Sequence, residues 1–88
     1  MKSYTIHTAA QLRPIIAGFR KSAGLTQAEL AVLLGVTQQT YSVTERNAAK
    51  MSVAKLLAVL NRLGVELVLQ PKSAAGLAIA SNAKEAQW

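Results

Sequence analysis

The chain has 88 residues, of which 51% are hydrophobic, so it is not a disordered polypeptide, and its length supports one compact domain that gains stability from dimerisation. Ten Lys and Arg against four Asp and Glu give a formal net charge of +6, which predicts a polyanionic partner, with nucleic acid ahead of an anionic membrane surface. The absence of cysteine excludes a disulfide scaffold and a thiolate metal site.

The first predicted elements are an N-terminal arm over residues 1–7 and a helix that follows it. Thr8 with Gln11 three residues later is typical of a capping box at a helix start, and Gly24 is a helix stop. Pro14 falls between these two signals. It indicates either a kink in the helix or its first turn, because proline has no backbone N–H to donate.

Two further helices follow in close succession. Thr26 and Glu29 form a second capping box, and Gly35 ends the helix that they start. Thr37 is the N-cap of a third helix that we expect to run from residue 38 to about residue 46. The short connection between the two predicts a helix-turn-helix unit.

The C-terminal third of the chain predicts one more helix, one strand and a tail. Ser52 caps the fourth helix and Gly64 ends it. The run VELVL over residues 65–69 changes to strand periodicity, and a single strand needs a partner for its backbone groups. We therefore expect the same strand of a second subunit to pair with it, through Val65, Leu67 and Leu69. The composition of residues 71–88 predicts a flexible tail.

Residue types and spacing predict how the second and third helices pack and which face of the third helix is exposed. Small Ala31 lets the third helix cross closely over the second, and Gly35 permits the positive φ that the turn needs. Tyr41 and Thr44 are predicted to face the core, with Tyr41 as a core residue. The outer face then carries Gln38, Gln39, Ser42, Val43 and Arg46.

Glutamine at the start of an exposed helix suits base recognition in DNA. Its carboxamide bonds bidentately to adenine N6 and N7, and recognition helices point their first turn at the base edges. Gln38 and Gln39 occupy that turn, and Val43 either contacts a thymine methyl or contacts nothing. Ser42 completes the predicted base-reading set.

Residues 25–47, LTQAELAVLLGVTQQTYSVTERN, resemble the helix-turn-helix of the Cro/C1-type (XRE) family, which includes the lambda and 434 repressors. The whole resemblance extends over residues 19–63. The resemblance implies an all-α, lambda-repressor-like bundle of four to five helices, here with one C-terminal dimer-forming β-strand. It also implies that residues 8–70 form the DNA-binding domain, that Gln27 contacts phosphate, and that Arg20 and Glu45 form a structural ion pair. The other expected phosphate contacts are Thr37, Thr40 and Arg46. Thr44 departs from the larger apolar residue usual in the family.

The order of arm, four helices, strand and Trp-terminated tail is similar to the HipB-type antitoxins, which bind and neutralise HipA kinase toxins. This narrower resemblance implies a homodimeric transcriptional repressor that binds double-stranded operator DNA and autoregulates its operon. It implies a HipA-like kinase partner, with Trp88 as the partner-binding residue; the alternative for the tail is a handle for proteases. A stand-alone repressor without a toxin partner and a non-DNA adaptor are the competing interpretations.

Enzymatic activity and membrane association are not expected. One His, no Cys and four scattered acids provide neither a nucleophile–base pair nor a metal cluster, so we predict no enzyme, cofactor or metal. No apolar run approaches the ~20 residues of a spanning helix, and the N-terminus does not have the pattern of a signal peptide. We expect a cytoplasmic protein.

Overall fold

The computed structural model describes residues 3–72, and its regular elements are all helical. Two 3-10 turns, Ala9–Gln11 and Ala48–Lys50, accompany four α-helices. The α-helices are α1 (Leu12–Ser22), α2 (Gln27–Leu34), α3 (Gln38–Arg46) and α4 (Val53–Leu63). The prediction of an all-α helix-turn-helix bundle with four helices is confirmed. No helix within residues 3–72 has the length and apolarity needed to cross a membrane.

Side-chain caps start the last three helices where the sequence predicts them. Thr26 accepts a hydrogen bond from the Glu29 amide at 3.1 Å and donates its own amide to Glu29 Oε1 at 2.8 Å. The hydroxyls of Thr37 and Ser52 likewise accept from an amide three residues further on, each at 3.1 Å. These bonds satisfy amides that the helix itself leaves without a partner. Replacing such a cap by alanine costs about 1 kcal/mol.

The first helix begins later than its sequence signal. Gln11 Oε1 accepts from the backbone amides of His7 and Thr8, at 2.7 and 2.9 Å, and the bond from Thr8 belongs to the predicted capping box, here at the start of the 3-10 turn Ala9–Gln11. The α-helical part starts at Leu12, so Pro14 lies in its first turn. The missing N–H of proline costs nothing there, which decides between the two interpretations of this residue.

A small core holds the helices together. Ala31 at the centre of α2 is buried, which permits the close crossing of α3 that the sequence predicts. Tyr41 is also fully buried, in agreement with its predicted core position. The buried apolar cluster consists of Ile16, Leu30, Ala31, Tyr41, Ala48 and Val59. Gly35 ends α2 with φ of 73°, the left-handed conformation that its position requires.

The segment after α4 has no regular secondary structure in the single chain. Val65 is half-buried, whereas Leu67 and Leu69 are exposed, with 91% of the Leu69 surface accessible. Within residues 3–72 no second segment pairs with it, so the dimer-forming strand over residues 65–69 stays a prediction. The tail from residue 73 onward, with Trp88, and the first two residues of the arm lie outside the described residues.

Candidate nucleic-acid interface

The first turn of α3 presents two neighbouring glutamines at the protein surface. Gln38 and Gln39 are the first two residues of α3, and both are exposed. Thr37 holds this end of the helix, because its hydroxyl accepts from the Thr40 amide at 3.1 Å and donates to Thr40 Oγ1 at 2.9 Å. Thr40 is exposed, so its hydroxyl is also accessible from outside the protein.

The outward face of α3 continues for two more turns. Ser42 and Val43 lie four residues after Gln38 and Gln39, so each adds one turn to the face that a glutamine begins. Ser42 is half-buried, and 43% of the Val43 surface is exposed. Arg46, the last residue of α3, is exposed. The predicted base-reading residues are thus brought together along one side of a single helix.

A buried ion pair connects α3 to α1. Arg20 Nε donates to Glu45 Oε1 at 2.9 Å and Nη2 donates to Oε2 at 3.2 Å, which makes the contact bidentate. Only 8% of Arg20 and 5% of Glu45 remain exposed. Arg20 Nη1 also donates to the carbonyl oxygen of Leu25 at 3.0 Å, so one guanidinium connects α1, the loop before α2 and α3.

Two further donors share the Glu45 carboxylate. Gln27 Nε2 donates to Oε2 and the Tyr41 hydroxyl donates to Oε1, both at 2.8 Å. The sequence predicts a contact between Gln27 and a DNA phosphate and a core position for Tyr41, and neither prediction includes a bond to Glu45. The four-residue spacing of Tyr41 and Glu45 on one helix is a signal for the second bond. The bond from Gln27 spans 18 residues and has no local signal.

The network controls the protonation of its members. Burial alone raises the pKa of Glu45, but the hydrogen bonds from Arg20, Gln27 and Tyr41 outweigh it and hold that pKa below its ordinary value. Burial, together with the neighbouring carboxylate, raises the pKa of the Tyr41 hydroxyl. The hydrogen bond to Glu45 raises the pKa of Arg20. At neutral pH the network therefore contains one carboxylate, one guanidinium and a neutral phenol.

The exposed charge of the domain is strongly basic. Within residues 3–72 the exposed acids are Glu29 and Glu66, because Glu45 is buried against Arg20. Seven basic residues of the same part of the chain are exposed: Arg13, Lys21, Arg46, Lys50, Lys55, Arg62 and Lys72. Such a surface attracts a polyanion and speeds its association. This part of the chain contains no group of His, Asp and Glu placed to hold a metal.

A helix-turn-helix with an exposed polar recognition face on a basic domain defines a DNA-binding protein of the Cro/C1 type. The helix-turn-helix family model matches residues 16–70, and the chain belongs to this family. It is therefore a DNA-binding regulator of the XRE type and not an enzyme.

Among solved structures, the chain is similar to HipB antitoxin structures, which confirms the predicted resemblance to the HipB-type antitoxins. It shares 28% identity with HipB in a complex with the O2 20mer, with a TM-score of 0.71 over 82% of this chain and all of that chain. For HipB in a HipA-HipB-O2-O3 complex the identity is 27% and the TM-score 0.70, over 81% of this chain and 100% of that chain. No curated protein sequence matches the chain.

Proposed function

We propose that the chain is a sequence-specific repressor that reads operator DNA with α3 in the major groove. The observation that carries this proposal is the exposed first turn of α3, where Gln38 and Gln39 stand side by side after a capped helix start. Each carboxamide offers a donor and an acceptor, the pair that adenine presents in the major groove. Ser42 and Val43 extend the reading face, and the Val43 methyl groups suit a thymine methyl.

Contacts to the DNA backbone fix the register of the reading helix. We assign three of them to the N-terminal ends of α2 and α3, because helix N-termini favour anions, and the fourth to the C-terminal end of α3. Thr40 supports this assignment with an exposed hydroxyl in the first turn of α3, and Arg46 supports it with an exposed positive charge. The assigned backbone contacts are Gln27, Thr37, Thr40 and Arg46.

The working form is a homodimer that pairs residues 65–69 across a two-fold axis. Support comes from the exposed leucines Leu67 and Leu69, which one chain leaves open to water next to half-buried Val65. Pairing covers these apolar groups and satisfies the backbone donors and acceptors of the segment. A two-fold dimer recognises a palindromic operator, with half-sites about 34 Å or a multiple apart.

We further propose that this repressor is the antitoxin of a HipA-like kinase and regulates its own operon in the cytoplasm. The support is the similarity to HipB in a complex that also contains HipA, a similarity that extends over the whole of that HipB chain. Trp88 is the residue we assign to the kinase, because a large aromatic side chain supplies much contact area in an interface.

The experiment has two arms. In the first, the full chain is used to select duplexes from a randomised library, and we expect a palindromic sequence to be enriched. In the second, calorimetry measures binding to the product of the reading frame beside the gene, which we expect to be a HipA-like kinase. Binding of DNA without binding of that kinase refutes the antitoxin assignment and leaves a stand-alone repressor. Binding of the kinase without enrichment of any DNA sequence refutes the repressor and leaves an adaptor.

A further inference from the structure

The carboxamide of Gln27 is held at the junction between α2 and α3. Gln27 is the first residue of α2, and its Nε2 donates one hydrogen to Glu45 Oε2 at 2.8 Å. A glutamine side chain has a second hydrogen on the same nitrogen and an acceptor oxygen. Within residues 3–72 neither of them has a protein partner, and no unpartnered side-chain polar atom of this part is buried. The half-buried side chain thus keeps unused hydrogen-bonding capacity at the start of α2.

The charge of Glu45 determines which way this carboxamide faces. A carboxylate only accepts hydrogen bonds, so the NH2 end of Gln27 must point towards it and the oxygen must point away. Glu45 is itself held by the fork of Arg20 and by the Tyr41 hydroxyl. Because the amide group is planar, fixing one of its two N–H bonds also fixes the direction of the other.

We propose that Glu45 is a positioning residue for DNA binding, because it engages one N–H of Gln27 and so aims the second N–H as a donor to a DNA phosphate. The inference rests on the proposed function, in which Gln27 contacts the DNA backbone. A phosphate oxygen is a charged acceptor, and a donor aimed in advance avoids the cost of ordering the side chain on binding. The buried network of Arg20, Glu45 and Gln27 then connects the packing of α1, α2 and α3 to the strength of a contact with the DNA backbone.

A double-mutant cycle tests this connection, since it measures whether the effect of one residue depends on the other. The four proteins are the wild type, Gln27→Ala, Glu45→Gln and the double variant. Glu45→Gln retains the length of the side chain but removes its charge and replaces one acceptor oxygen by an NH2 group, so Gln27 is no longer required to point its own NH2 group inward. The probes are the duplex selected above and a mixed-sequence duplex of equal length. All measurements are made at a temperature where circular dichroism shows all proteins folded.

In the Glu45 background we expect Gln27→Ala to weaken binding to both probes by about tenfold, the size of one hydrogen bond to a charged group. In the Glu45→Gln background the same change should weaken binding by about threefold or less. Equal losses in the two backgrounds overturn the inference and leave the proposed function intact. No binding of any duplex by the wild type is a different result, which refutes the proposed function and the inference with it.

One further measurement separates positioning of Gln27 from a general tilt of α3. Gln38→Ala is the matched control, because Gln38 lies seven residues from Glu45 and its effect on affinity should be the same in both backgrounds. If Gln38→Ala and Gln27→Ala both lose their effect on affinity in the Glu45→Gln background, α3 as a whole is displaced, and this result overturns the inference.

If Glu45→Gln does not fold, the side-chain amide resonances of Gln27 in the wild type decide. We expect one amide proton to stay bonded in the free and bound protein while the other shifts on DNA binding. No shift of either proton overturns the inference.

Discussion

Replacing Glu45 by alanine is predicted to remove a large share of the stability of the domain. The change deletes the acceptor of four hydrogen bonds, from Arg20 Nε and Nη2, Gln27 Nε2 and the Tyr41 hydroxyl. Arg20 stays buried without a counter-charge, and breaking a buried pair from one side costs about 3–5 kcal/mol. A domain of this size has roughly 4–10 kcal/mol of unfolding free energy in total at the usual value per residue.

Urea unfolding followed by circular dichroism measures this loss, at one protein concentration because the proposed dimer adds a concentration-dependent contribution to stability. The control is the triple variant Arg20→Met, Tyr41→Phe and Glu45→Leu, which leaves no buried charge or hydroxyl without a partner. We expect it to be more stable than Glu45→Ala, although it differs from the wild type at more positions. A Glu45→Ala loss of about 1 kcal/mol or less, or a triple variant less stable than the single one, would refute the reasoning.

The same carboxylate gives the domain a predictable acid sensitivity. The pKa of Glu45 in the folded protein is lowered, so its stabilising contribution is complete above the pKa of an unfolded carboxyl group and is lost as pH falls through the lower folded value. The difference in unfolding free energy between wild type and Glu45→Gln should therefore be constant above about pH 5 and shrink in acid. A difference that does not change with pH would contradict this assignment.

Three further predictions concern the partners. Leu67→Pro removes a backbone donor from the predicted strand and should convert the dimer into a monomer in sedimentation, whereas Glu66→Ala should stay dimeric; a monomeric wild type at micromolar concentration refutes the interface. The logarithm of operator affinity should fall linearly with the logarithm of salt concentration. Arg46→Gln should reduce the magnitude of that slope by about 0.9, the value for one phosphate contact. An affinity that does not change with salt excludes a complex anchored by phosphate contacts. Trp88→Ala should weaken calorimetric binding to the kinase and leave operator affinity unchanged, and equal kinase affinities would remove Trp88 from that interface.

The helix boundaries were predictable where the signal is local. Thr37 and Ser52 start α3 and α4 where their sequence indicates, because an N-cap bond needs only a hydroxyl and the amide three residues later. The predicted capping box of Thr8 and Gln11 is present, but the helix that it starts is α-helical only from Leu12. Gln11 there accepts from two backbone amides, of His7 and Thr8, and this end of the helix tightens into a 3-10 turn.

Features that depend on how elements cross, or on another chain, were not predictable in the same way. The bond from Gln27 to Glu45 exists because α2 and α3 cross at a particular distance, and no spacing rule covers 18 residues. The four-residue spacing of Tyr41 and Glu45 does indicate a contact on one helix face. The predicted core position of Tyr41, however, accounts only for its ring and does not specify the acceptor of its hydroxyl. The predicted strand over residues 65–69 needs a partner strand, and residues 3–72 do not contain one.

The central claim is that Gln38 and Gln39 read bases, and the most direct test is a ratio of affinities. The affinity for the selected duplex, divided by that for a scrambled duplex at the same salt concentration, is measured for the wild type, Gln38→Ala and Gln39→Ala. Asn61→Ala serves as the control, since Asn61 is an exposed carboxamide on α4. We predict that each α3 variant loses about tenfold or more of the ratio, as a bidentate base contact is worth about 1–3 kcal/mol, while Asn61→Ala keeps it. A ratio that stays at the wild-type value in both α3 variants would contradict the claim.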